Sequence, residues 1–111
     1  MNKLLFDTSL DVIKCIQEGR YDSLEKKQCL KKVSKEHIEK TIRDYGGVLD
    51  IVNEAEYLES FQYVKIKNQD KYMTYLDLII DGEKSDLTLI CEIEIKNNRV
   101  IKIIVDDLHV L

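Results

Sequence analysis

The chain has 111 residues, 44% of them hydrophobic and 34% charged, with a formal charge of −4. That length and balance predict one domain, 1–111, with its own core, and they exclude a disordered chain. The net acidity argues against nucleic-acid backbones as partners, and no run approaches the roughly 20 apolar residues of a membrane span.

Asp7 and Asp11 interrupt the apolar stretch of MNKLLFDTSLDVIK, which makes a poor secretion signal, so a cytoplasmic protein is expected. Cys15, Cys29 and Cys91 are odd in number, widely spaced and set among apolar residues. They predict reduced, buried thiols rather than a disulfide framework or a zinc site. With no proline and four glycines, the elements should be long and regular.

The N-terminal part, 1–46, reads as two or three amphipathic helices. Asp7, Thr8 and Ser9 offer capping oxygens ahead of LDVIKCIQEG, where Leu10, Ile13 and Ile16 recur at helical spacing and Gly19 can close the helix. Asp22 and Glu25 have capping-box spacing for a second start, followed by a thin stripe of Leu24, Leu30 and Val33. Ser34 can cap SKEHIEKTIRDYGG, in which Ile38, Thr41, Ile42 and Tyr45 share a face and Gly46-Gly47 provides the stop. His37 is expected in solvent on that helix. The lysines from Lys26 to Lys40 interleave with Glu25, Glu36 and Glu39, the pattern of a solvated face.

Residues 48–59 suggest a loop or a brief strand. Beyond them the period becomes two, and 60–67, 71–80, 86–96 and 99–109 read as four strands of an antiparallel meander. Asn97-Asn98 suits a two-residue turn. In the third strand Leu87, Leu89, Cys91, Ile93 and Ile95 form one face; Asp86, Thr88, Ile90, Glu92 and Glu94 form the other. In the fourth, Ile101, Ile103 and Val105 oppose Lys102, Ile104 and Asp106. The face with Glu92 and Glu94 is mixed acidic and apolar, which suits either a protein-binding surface or an ordinary wet sheet face.

The most chemically suggestive stretch is VDDLHVL, 105–111. Asp106 and Asp107 are strand neighbours, expected on opposite faces, so they cannot act as one carboxylate pair. Asp107 and His109 share a face and can form either an acid–base dyad or a structural cross-link at a strand end. A metal would need a third ligand that spacing does not place. There is no phosphate loop, nucleophile elbow or His-x-x-x-His pair, so no cofactor and no metal are expected, and an enzyme is the minority reading.

Helices followed by a four-stranded meander resemble the cystatin-like α+β plan, shared with nuclear-transport-factor-like and polyketide-cyclase-like domains, in which a curved sheet wraps an N-terminal helix. Over about residues 60–111 the chain is similar to small bacterial domains with a serine-aspartate-leucine strand start and an aspartate-aspartate-leucine-histidine ending. Here these are Ser85-Asp86-Leu87 and Asp106-Asp107-Leu108-His109. Domains of this look are frequent among immunity proteins of polymorphic-toxin and contact-dependent inhibition systems. The resemblance implies a protein that binds and neutralises a cognate toxin, often a nuclease, by covering its active site. Asp77, Asp81, Glu92 and Glu94 are the candidate contacts. The alternatives are a small cystatin-like enzyme, an isomerase, dehydratase or hydrolase using Asp107 and His109, and a homodimer joined through the open sheet face.

Overall fold

The computed structural model describes residues 2–50 and 54–110, and it has an α+β architecture. The first helix, α1, spans Asn2–Gln17 and therefore starts ahead of the expected caps. Leu5 and Phe6 are buried with Leu10, Ile13 and Ile16, so the apolar stripe begins before Asp7. The expected capping hydroxyls are spent elsewhere. Thr8 Oγ1 donates back to the Leu4 carbonyl at 2.7 Å, and Ser9 Oγ donates to Thr74 Oγ1 at 3.0 Å in the interior. Gly19 does close the helix: its N–H bonds the Ile16 carbonyl and the Arg20 N–H bonds that of Cys15, with Gly19 at φ +72°.

Helix α2, Tyr21–Lys26, has Arg20 at its cap and no side-chain capping bond, so the Asp22–Glu25 box does not form. Tyr21 is buried, which draws the helix start one residue earlier and leaves Asp22 within the first turn. Helix α3, Lys35–Tyr45, is capped as expected, Ser34 Oγ accepting the His37 N–H at 3.1 Å, and Gly46 ends it at φ +90°. Replacing Ser34 with alanine is expected to cost about 1 kcal/mol, read as a lower urea midpoint.

The stretch expected as loop or brief strand divides. Leu49–Asp50 is a two-residue strand, β1, and Glu54–Ser60 is a helix, α4, while 51–53 lie outside the described residues. Strong helix formers and the first-turn acids Glu54 and Glu56 favour α4, but it is too short to show a period. The remaining strands are β2 (Gln62–Lys65), β3 (Lys71–Ile80), β4 (Glu83–Lys96) and β5 (Arg99–Val110). β4 begins three residues ahead of Asp86 because Asp81-Gly82, at φ +53° and +77°, makes a two-residue turn. Asn97-Asn98 turns in the same way, at +53° and +59°.

The four-strand meander is present and antiparallel throughout. β1 adds a fifth strand on the free edge of β3, pairing Leu49 with Ile80, whereas β2 pairs at the other end, Gln62 with Tyr75. One sheet face builds the core. Leu87, Leu89, Cys91, Ile93 and Ile95 all enter it, and each helix contributes: Leu5, Leu24, Ile38 and Tyr57 among others. The three thiols are free and buried; burial pushes all of them up, Cys91 to about 12. No described helix is long and apolar enough to cross a membrane.

Candidate functional site

The opposite sheet face is built from residues paired directly across the strands, which project to the same side. One row runs Val64, Met73, Glu92, Ile104. The next runs Gln62, Tyr75, Ile90, Asp107; the one beyond it is Asp77, Thr88, His109. Lys71, Glu94 and Lys102 form a row on the other flank. Ile90 and Ile104 are buried yet stand outside the core cluster, which places an apolar strip on this side of the sheet as well. Val64 is 58% exposed at the strip's end.

Irregular pairing decides what reaches this face. In β5, Cys91 pairs with Val105 but Ile90 pairs with Asp107, so Asp106 is an extra residue, a β-bulge. Ile103 and Val105 point at the core, and unbroken alternation would send Asp107 there too. The bulge shifts the phase, so Leu108 is buried and Asp107 turns outward. A second extra residue, Ile101, lies between the pairs of Lys102 and Val100 and is 52% exposed. The expected alternation of the last strand therefore holds only from 102 to 105. Between β3 and β4, one residue, Leu78, faces the three residues 85–87. Ser85 Oγ bridges that gap, donating to the Leu78 carbonyl at 2.6 Å and accepting the Leu87 N–H at 3.1 Å. Asp86 accepts the Tyr45 hydroxyl at 2.7 Å. Both sequence signatures, serine-aspartate-leucine and aspartate-aspartate-leucine-histidine, thus coincide with bulges.

The two neighbouring aspartates were expected on opposite faces; the bulge instead leaves both lining one depression, where they take different partners. Asp106 pairs with Lys32 at 2.9 Å, and this bond, more than the neighbouring charge itself, raises the lysine above its ordinary value. Asp107 Oδ2 lies 2.6 Å from His109 Nδ1, and its Oδ1 accepts the Leu108 N–H at 2.8 Å. His37, exposed on α3 as expected, also brings Nε2 to 3.9 Å from Asp107 Oδ1. Sequence spacing held no sign of this contact, because it depends on how α3 docks along β5. Beside them the Val105 N–H bonds the Cys29 carbonyl, closing the middle of the β5 edge.

Of the four candidate acids, the fold brings Asp77, Glu92 and Glu94 onto one face; Asp81 stands apart in the β3–β4 turn. Three are engaged. Asp77 accepts the Thr88 hydroxyl at 2.7 Å with Lys84 at 3.5 Å, Asp81 accepts the Val48 N–H at 2.8 Å, and Glu94 lies 4.0 Å from Lys96. Glu92 has neither a hydrogen bond nor an ion pair among the described residues, though it feels the charge of Lys32. It sits half-buried between Met73 and Ile104.

An open depression of about 720 Å³ lies beside these rows, walled by Glu59 and Ser60 of α4, by Tyr75 and Asp77, and by Lys84 to Asp86. The space between the helices and the sheet, in contrast, is filled by core side chains. His109 is 43% exposed, and no hydroxyl or thiol bonds it among the described residues. No group of metal ligands assembles among them either.

The fold and this face define an α+β domain with one sheet face in the core and the other, which carries apolar, acidic and basic side chains, turned outward. Residues 13–111 match a family described as Domain of unknown function (DUF7668), and the chain belongs to it. No curated protein and no solved structure is similar enough to match.

Proposed function

We propose that the domain is a cytoplasmic immunity protein, which binds a basic toxin through its outer sheet face and covers the toxin's active site. The observation that carries this reading is the row Val64–Met73–Glu92–Ile104, where an unengaged carboxylate stands between apolar neighbours. A lysine or arginine of a partner can pair with Glu92 while its surroundings bury the apolar strip. That combination of an anchor with a water-excluding rim gives hot-spot residues their large effects. Asp77 and Asp107 add negative charge on one side of the row, which steers a cationic group there, while on the other flank Lys71 and Lys102 stand beside Glu94. Neutralisation in this scheme needs no chemistry by the domain, only occupancy of the partner's site.

Co-expression with the product of the neighbouring gene tests the reading. The two proteins should purify together, and cells carrying the domain should survive that product. Failure of both would remove the proposal. A second reading, a small enzyme, draws on the short Asp107–His109 contact, in which the carboxylate orients the imidazole. The filled interior and the exposed ring support it less, since acid–base sites work best where water is excluded.

A further inference from the structure

The β5 flank of the sheet is closed in its middle, where the Val105 N–H bonds the Cys29 carbonyl at 2.9 Å. The flank formed by β2 is open. Among the described residues its backbone has no partner except β3, and all of Gln62–Lys65 are exposed. The Ile66 N–H bonds the Lys71 carbonyl at 2.8 Å, so alternation turns the backbone groups of Gln62 and Val64 towards β3. Those of Tyr63 and Lys65 point to the open side, a template for one more strand. The segment reads FQYVKIK, rich in aromatic and β-branched residues and free of glycine and proline. Tyr63 is 40% and Val64 58% exposed, so apolar surface stands on both faces of this edge. Tyr63 stacks on Phe61 at 6.0 Å, and Lys65 and Lys67 follow on that same face of the strand.

We propose that this edge pairs with the same edge of a second copy, joining two domains through one continuous antiparallel sheet. The segment is complementary to itself. Pairing about a two-fold axis at Val64 lets Tyr63 of each copy exchange both backbone hydrogen bonds with Lys65 of the other. The same register sets Lys67 opposite Phe61 of the second copy, so both lysines of that face meet an aromatic ring rather than another cation. On the outer face the two Val64 side chains meet at the axis, and Ile66 stands opposite Gln62. Other registers are worse. A slide by two residues one way sets Lys65 against Lys65, like charges directly opposed. A slide by two the other way calls on the Phe61 N–H, which already bonds the Leu58 carbonyl at 3.3 Å. A slide by one puts the bonding groups out of phase. In the favoured register the row Val64–Met73–Glu92–Ile104 runs on across the axis into its copy, with both outer faces on one side. The pairing uses the strand edge and does not depend on what the outer face binds.

Sedimentation equilibrium of the intact chain, from about 10 µM to about 1 mM, tests the pairing, since a short edge contact gives a weak, concentration-dependent dimer. The expected result is a monomer–dimer equilibrium within that range. Lys65→Pro deletes an N–H that faces the open side and leaves the ladder to β3 intact, and Val64→Lys sets two like charges at the axis. Each should weaken association at least about ten-fold while the amide NMR spectrum stays that of the native fold. Val64→Cys should form a disulfide-linked dimer in air, because opposed residues of a non-hydrogen-bonded pair stand within reach of one another and the native thiols are buried. A native chain that stays monomeric throughout overturns the proposal, as does a dimer that Val64→Lys leaves undiminished. A dimer sensitive to Val64→Lys but not linked through Val64→Cys overturns the register. A monomer whose β2 amides shift only when the neighbouring gene's product is added assigns the edge to a foreign strand and overturns self-pairing.

Discussion

Removing a single oxygen, by Tyr57→Phe, is expected to destabilise the fold by about 1–3 kcal/mol with little change in the urea m-value. Tyr57 has no exposed surface, and its hydroxyl sits between two backbone groups that face one another across the β1–β3 pair. It donates to the Asp50 carbonyl and accepts the Ile79 N–H at 3.2 Å. The hydroxyl therefore links two residues paired across the strands, fastening α4 to both β1 and β3. Burial pushes this hydroxyl above its ordinary value, so it remains a donor throughout the usual pH range. Phenylalanine fills the same volume but removes the two hydrogen bonds of a fully buried hydroxyl, each worth about 0.5–1.5 kcal/mol. The change should also loosen Glu59 and Ser60, which wall the depression on the outer face. Faster hydrogen exchange in 54–60 would report that directly.

The second large effect is expected at Gly47→Ala, about 2–3 kcal/mol by the same measurement. Gly47 has φ +85°, and an added Cβ would meet the Ile80 side chain and lie 2.6 Å from Asp81 Oδ2. Asp81 cannot simply yield. Its other oxygen accepts the Val48 N–H at 2.8 Å, and its own N–H donates to the Val48 carbonyl at 2.8 Å. Alanine therefore adds a displaced carboxylate to the strain of the positive φ. Gly19→Ala, at φ +72° with nothing within 4 Å, carries the backbone strain alone and should cost about 1–2 kcal/mol. Equal costs at the two positions would show that the Asp81 contact contributes nothing.

Much of the architecture was legible in the residues. Ser34 and Gly46 bound a helix as capping chemistry predicts, and alternation in β4 sorted the buried face from the outer one. What escaped was set by tertiary context. Asp7, Thr8 and Ser9 resemble a cap, yet the stripe begins at Leu5, and packing against Thr74 carried the helix through them. Glu54–Ser60 has a single buried residue, so no period announces it. The extra residue at Asp106 is invisible to a strict two-residue period, yet it turns Asp107 away from the core. The candidate site was half legible. Glu92 and Glu94 were placed on one face, as were Asp107 and His109, whereas no face was read for Asp77. That Glu92 alone among the four acids lacks a hydrogen bond or ion pair among the described residues, and that His37 joins Asp107, follow from docking of elements distant in the chain.

The central claim, that the outer face is the binding surface, is tested most directly by measuring the affinity of the neighbouring gene's product for two charge-reversed variants. Glu92→Lys places a like charge where a basic partner's anchor would sit and should weaken binding at least about 100-fold. Asp11→Lys makes the same change of charge at an exposed position of α1, in the layer behind the sheet, and should leave affinity within about three-fold. If the two variants bind equally well, the outer face is not the surface that holds the partner.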